Sequence, residues 1–140
     1  MVVVFCLPLK LMALDLSFKE IIFFGDSLTD DGNFYSAAFG LAPKSPPYYQ
    51  GRFTNGPTWA ENLAAYYGKE NGIMYDNYAV GGATTLFHNP FKGYFPTTLS
   101  GGVTDYLLRT SFKDRTSSLF VIWIGSNDYL YGAKNVDQTT

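Results

Sequence analysis

Residues 21–33, Ile-Ile-Phe-Phe-Gly-Asp-Ser-Leu-Thr-Asp-Asp-Gly-Asn, decide how this chain is read. Four apolar residues, Ile21 to Phe24, predict a short buried strand that stops at Gly25. Ser27 follows two residues later, flanked by Asp26, with polar residues beyond it. A serine on a tight strand-to-helix turn stands at the carboxyl edge of a sheet, beside free backbone N–H groups. That placement suits a nucleophile whose attack creates an oxyanion. It suits equally a βα turn with a capping Ser or Asp, so the turn alone does not choose between them.

Working outward, residues 34–56 show little periodicity and are rich in Phe, Tyr, Pro and Gly. A long aromatic loop directly after the candidate nucleophile is a candidate wall of an acyl-chain pocket, or a surface loop pinned by its own rings. Pro57, or Thr58 with Glu61 at capping-box spacing, marks the start of a helix. Trp59, Leu63, Tyr66 and Tyr67 fall on one face of it, and Gly68 is its expected end. A second strand is expected over Met74–Val80, running into Gly81-Gly82. Glycines after a strand let a backbone approach a ligand closely, or simply make a tight turn. A second helix places Leu99, Val103, Tyr106 and Leu107 together, with Gly101-Gly102 weakening its first turn. The third strand, Leu119–Ile124, is continuously apolar and ends at Gly125-Ser126-Asn127-Asp128. This alternation of strand and helix demands a parallel sheet with right-handed crossovers.

Composition narrows the function classes. Hydrophobic residues are 46% and charged residues 16% of the 140, so a core is available. A net charge of −2 offers no footprint for nucleic acid or an anionic membrane. Cys6 is the single cysteine, which excludes an intrachain disulfide and a zinc cluster; no metal or other cofactor is expected. Residues 1–17 form an apolar leader of uncertain role. It lacks a basic start, Lys10 interrupts it, and its uninterrupted run Val2–Leu9 is too short to span a bilayer. A degraded signal peptide and a true start at Met12 both remain open.

Three strand ends thus carry unusual residues: Ser27, Gly82 and Asn127. In an open parallel sheet they share one edge, where ligands bind. Ser27 would be the nucleophile; its own N–H, the N–H of Gly82 and the side-chain amide of Asn127 would be oxyanion donors. Here the chain resembles a known family. Gly25-Asp26-Ser27-Leu28, Asn77-Tyr78-Ala79-Val80-Gly81-Gly82-Ala83 and Gly125-Ser126-Asn127-Asp128 match, in order, the first three motif blocks of the GDSL (SGNH) esterases and lipases. The segment Pro46-Pro47-Tyr48-Tyr49-Gln50-Gly51-Arg52-Phe53 to Trp59 is similar to the bacterial and plant lipase-like branch. The resemblance implies a flavodoxin-like three-layer α/β/α fold, here truncated after the third parallel strand. Residues 18–140 would be the N-terminal portion of such a domain. It also implies a serine hydrolase of acyl esters, often lipids, without cofactor, and secreted or periplasmic.

The departure from the family lies at the base. Its histidine belongs to a C-terminal Asp-x-x-His block, whereas Asp137-Gln138-Thr139-Thr140 has none, and His88 is the single histidine. A solvent-facing loop histidine is the commoner reading of His88, although triads are defined by geometry and not by chain order. Asp26, Asp30, Asp31 and Asp128 read as turn and hydrogen-bonding residues. A complementing C-terminal half is therefore an expected partner, and the third strand is expected at the sheet edge with Phe120, Ile122 and Ile124 incompletely covered. The rival functions are a catalytically inactive fragment or pseudogene product that binds acyl ligands or a partner, and a phosphate-binding module. The latter is disfavoured because no Gly-rich phosphate loop follows the first strand.

Overall fold

The structure, a computed structural model, describes residues 18–88 and 97–130. The apolar leader and Asp137–Thr140 lie outside the described residues. Strand β1 (Glu20–Gly25) is buried along its whole length and is the centre of the molecule. Strands β2 (Met74–Asn77) and β3 (Ser118–Trp123) pair with it on either side, both parallel, in the order β2-β1-β3. Two longer helices, α2 (Trp59–Asn71) and α3 (Leu99–Arg109), make the crossovers. Two single turns, α1 (Asn33–Ala37) and α4 (Ser126–Leu130), follow β1 and β3.

Alternation along β1 builds both halves of the core. Ile21 and Phe23 face α2, where they meet Ala60 and Ala64, with Trp59, Leu63 and Tyr67 around them. Ile22 and Phe24 face α3, packing with Tyr106, Leu99 and Val103. Successive side chains of a strand point to opposite faces, so a strand covered by helices on both sides must be apolar throughout. Ring contacts dominate each face. Phe23 meets the edge of Trp59 at 5.5 Å, and Phe24 meets Tyr106 at 5.9 Å. The result is the expected α/β/α layering.

Helix α2 starts where a capping box places it. Thr58 Oγ1 accepts from the Glu61 N–H at 3.2 Å, and Glu61 Oε2 accepts from the Thr58 N–H at 2.8 Å. The helix passes the expected stop at Gly68 and ends at Gly72, the residue with left-handed φ (67°). A C-terminal glycine acts only where the backbone takes that conformation, and Gly68 stays helical. Tyr66 is mostly exposed, edge-on to Tyr67, and Leu107 is also exposed, so both helices bury narrower faces than their periodicity suggested.

At the amino end of the sheet, buried Glu20 binds Lys113 from the segment before β3. β3 is an edge. Phe120 (43%), Ile122 (55%) and Trp123 (58%) are incompletely covered, as expected of a central-type strand with one neighbour, while Ile124 is partly buried.

Phe23 is wholly buried between α2 and the sheet. Phe23→Ala should cost about 3–5 kcal/mol, read as a lowered urea midpoint. An unchanged midpoint would show that α2 does not dock on β1 as described.

Candidate active site

The three strand-end turns meet at the carboxyl edge. Gly25 pairs with Trp123 across the β1–β3 ladder, and the β1–β2 pairing continues past β2 through Tyr78 N–H to Phe23 O (2.8 Å) and Val80 N–H to Gly25 O (3.1 Å). Residues 26–28, 81–83 and 125–127 therefore leave the sheet side by side.

Side chains from each turn join it to the others. In the turn after β1, Asp26 Oδ1 accepts the Leu28 N–H at 3.1 Å, and its Oδ2 accepts the Ser126 hydroxyl from α4. Asp30, wholly buried, accepts four N–H groups. Oδ1 takes those of Gly32 (2.8 Å) and Asn33 (2.7 Å), and Oδ2 takes those of Phe34 (3.0 Å) and, across the site, Gly81 (2.7 Å). Asn33 donates to the carbonyls of Asn77 (2.8 Å) and Ala79 (2.9 Å), and Asn77 donates back to Thr29 O at 2.7 Å. On the α4 side, Asn127 Nδ2 donates to Ala83 O at 2.8 Å, and buried Asp128 accepts both the N–H and the hydroxyl of Thr85. Every pair of turns is stitched.

Within this frame Ser27 is partly buried, and none of the side-chain hydrogen bonds among the described residues engages its hydroxyl. Gly82 has φ +80°, and a side chain at the neighbouring Gly81 would strike the Phe53 ring at 2.4 Å. The two glycines are thus required separately, one by conformation and one by space. Asn127 is buried. Its amide carries two N–H groups; Ala83 takes one, leaving a second for another acceptor.

The electrostatics follow from burial and donors. Burial pushes the Asp30 carboxyl above its ordinary value, against the opposing effect of the backbone N–H groups of Gly32, Gly81, Phe34 and Asn33. Burial would also raise Asp128, but the Thr85 N–H, the Thr85 hydroxyl and His88 together hold it below the usual value.

One expectation is revised, and one pair of alternatives is narrowed. His88 is not simply solvent-facing; its Nε2 lies 3.3 Å from Asp128 Oδ1, and the ring is only partly exposed. Residues 40 apart in sequence cannot be paired by eye, and no spacing signal announced the contact. The aromatic loop packs on itself, with Phe34 and Tyr48 against Phe53 at 5.5 and 6.1 Å, and it presses Phe53 onto Gly81. Arg52 ties it to α2 through Glu61 at 2.6 Å. Two clefts, of about 630 and 550 Å³, lie beside β2, one towards α3 and one towards α2. Neither is lined by Ser27, Phe34, Tyr48, Tyr49 or Phe53.

The family model of GDSL-like lipases and acylhydrolases matches residues 21–140. The chain belongs to that family. Among curated GDSL relatives, the phosphatidylcholine-sterol acyltransferase of Aeromonas hydrophila is 40% identical over 126 residues, covering 87% of this chain and 36% of the relative. The secreted effector protein SseJ of Salmonella typhimurium is 35% identical over 116 residues, 79% of this chain and 26% of that protein. The thermolabile hemolysin of Vibrio parahaemolyticus is 30% identical over 116 residues, with 80% and 26% covered. This GDSL chain spans about a third or less of the length of each. No helix among its described residues is long and apolar enough to cross a membrane.

The depressed Asp128 pKa carries a sign. A carboxylate lowered on folding contributes stability that is complete above its unfolded pKa and lost as pH falls through the folded one. The urea midpoints of wild type and Asp128→Asn should differ most near neutral pH and converge below about pH 4. A gap that widens in acid would contradict the Thr85 and His88 contacts.

Proposed function

We propose that this chain carries the nucleophile and oxyanion donors of a serine hydrolase acting on carboxylic esters, with lipid acyl esters as the substrate class. The observation that carries the reading is the stitched edge, which sets a partly buried Ser27 beside the Gly82 turn and an Asn127 amide with one donor to spare. The Aeromonas relative's name, a phosphatidylcholine-sterol acyltransferase, supports lipid acyl groups. The names of the Salmonella and Vibrio relatives, a secreted effector and a hemolysin, support a secreted protein.

In the reaction, Ser27 Oγ attacks the ester carbonyl carbon and the π electrons move to oxygen. The N–H groups of Ser27 and Gly82 and the free N–H of Asn127 receive that oxyanion. Asn127 suits the task because a neutral amide donor keeps its proton near neutral pH. A base takes the hydroxyl proton and returns it to the departing alkoxide, leaving an acyl-enzyme that water then cleaves. The base, in this reading, is a histidine of a complementing C-terminal half outside these 140 residues. The incompletely covered β3 edge is where that half would add.

A second reading is favoured by one contact, His88 Nε2 to Asp128 Oδ1 at 3.3 Å, a histidine–carboxylate pair that engages the nitrogen opposite to the one a triad acid holds. Asp128 already serves Thr85, so the contact is equally that of a loop tether.

The 140-residue chain alone should hydrolyse p-nitrophenyl esters barely above buffer, and His88→Ala should leave that rate unchanged. Adding the complementing polypeptide should restore a rate that Ser27→Ala abolishes. Asn127→Ala should then lower kcat by about 100- to 1000-fold. Robust turnover by the chain alone, lost in His88→Ala, would make His88 the base.

A further inference from the structure

A Gly-Gly turn has no side chain with which to fix its own peptide planes, and glycine moves freely between left- and right-handed φ. An oxyanion donor, by contrast, contributes only if it points at the developing charge before the reaction begins. Whatever orients the Gly82 N–H must therefore lie outside Gly81 and Gly82. On the far side of the turn, Ala83 is held at both ends: its N–H donates to Val80 O at 3.0 Å and its carbonyl accepts from Asn127 at 2.8 Å. On the near side, the side-chain tether is the carboxylate of Asp30.

We infer that Asp30 is a positioning residue of the oxyanion hole: by holding the Gly81 N–H at 2.7 Å from a fully buried carboxylate, it sets the direction of the Gly82 N–H. The inference rests on the reading of Gly82 as an oxyanion donor. Asp30 is built for the role. Its remaining three acceptor contacts, to Gly32, Asn33 and Phe34, hold the start of α1, and its own N–H donates to Asp26 O at 3.0 Å, so one group references the segment that carries Ser27 to the donor turn. Both oxygens accept two N–H groups each, and only an ionised carboxylate satisfies all four. An asparagine offers one accepting oxygen and aims its NH₂ at two donors; a protonated aspartic acid aims one O–H the same way. Burial works against the ionised form, raising the carboxyl, so loss of this grip comes at a higher pH than for an ordinary aspartate. The charged group beside it is Asp31 of its own turn, on which Glu61 of α2 and Arg52 of the aromatic loop also act.

The test is an amide titration of the ¹⁵N-labelled full chain by NMR. The amides of Gly32, Asn33, Phe34 and Gly81 should move with one shared midpoint above the ordinary aspartate value, and Gly82 should follow it. Leu28 reports Asp26 and Thr85 reports Asp128, so neither can be mistaken for Asp30. Asp30→Asn should abolish the shared transition; if that variant does not fold, the wild-type titration decides alone. In the complemented enzyme, Asp30→Asn should lower kcat by about 100-fold with KM within about twofold. A Gly81 amide that titrates apart from the other three, a Gly82 amide indifferent to the transition, or an Asp30→Asn enzyme with wild-type kcat overturns the inference. Should Ser27→Ala leave hydrolysis unchanged, the hydrolase reading fails, while the amide titration still decides whether Asp30 governs the turn.

Discussion

A buried carboxylate with four backbone N–H donors is the constraint on which the carboxyl edge of this sheet depends. An isolated carboxylate at that depth would be costly by several kcal/mol and would protonate instead. Four donors make burial tolerable, and they also make it directional, because each N–H comes from backbone whose position is thereby fixed. Asp30 joins turn one to turn two, Asp26 joins turn one to turn three, and Asp128 joins turn three to the loop after turn two. Three acids close a triangle. No edge of it is a surface ion pair, so its strength is little affected by salt.

The triangle can form only because β1 is placed in the middle. A central strand with parallel neighbours brings three carboxyl ends to one edge, and the apolar run Ile21–Phe24 suits that position, since both of its faces are covered by a helix. The same logic applied to β3 leaves its side chains short of cover: Phe120, Ile122 and Trp123 have the composition of a central strand and the exposure of an edge. The sheet is thus complete around the candidate nucleophile and incomplete on the β3 side.

What could be read in the residues was whatever depends on local pattern. The three strands, the capping box at Thr58 and Glu61, and the strand-end Ser, Gly and Asn were legible because period and turn chemistry act over a few residues. The aspartates were legible in kind, as hydrogen-bonding residues, but not in partner; Asp30 with Gly81 and Asp128 with Thr85 are pairings made by the crossover connections. The contact of His88 with Asp128 was hidden for the same reason. The end of α2 was missed because two glycines four residues apart both qualify, and only the backbone angle at Gly72 selects one. The short helix α1 carries no periodic signal and exists because Asp30 organises the N–H groups at its start.

The division of labour at Asn127 connects these points to chemistry. A side-chain amide has two N–H groups, and a donor that swings freely is a poor receiver for an oxyanion, because it must be oriented at the moment of reaction. Giving one N–H to Ala83 O fixes the plane of the amide, so the second N–H has a set direction. Gly82 lies next to Ala83, so this hydrogen bond also anchors the residue that follows the Gly81-Gly82 turn. On our proposal that Gly82 and Asn127 are oxyanion donors, this bond and the Asp30 carboxylate hold the Gly81-Gly82 turn from its two sides, each flexible element fixed by a partner on another turn.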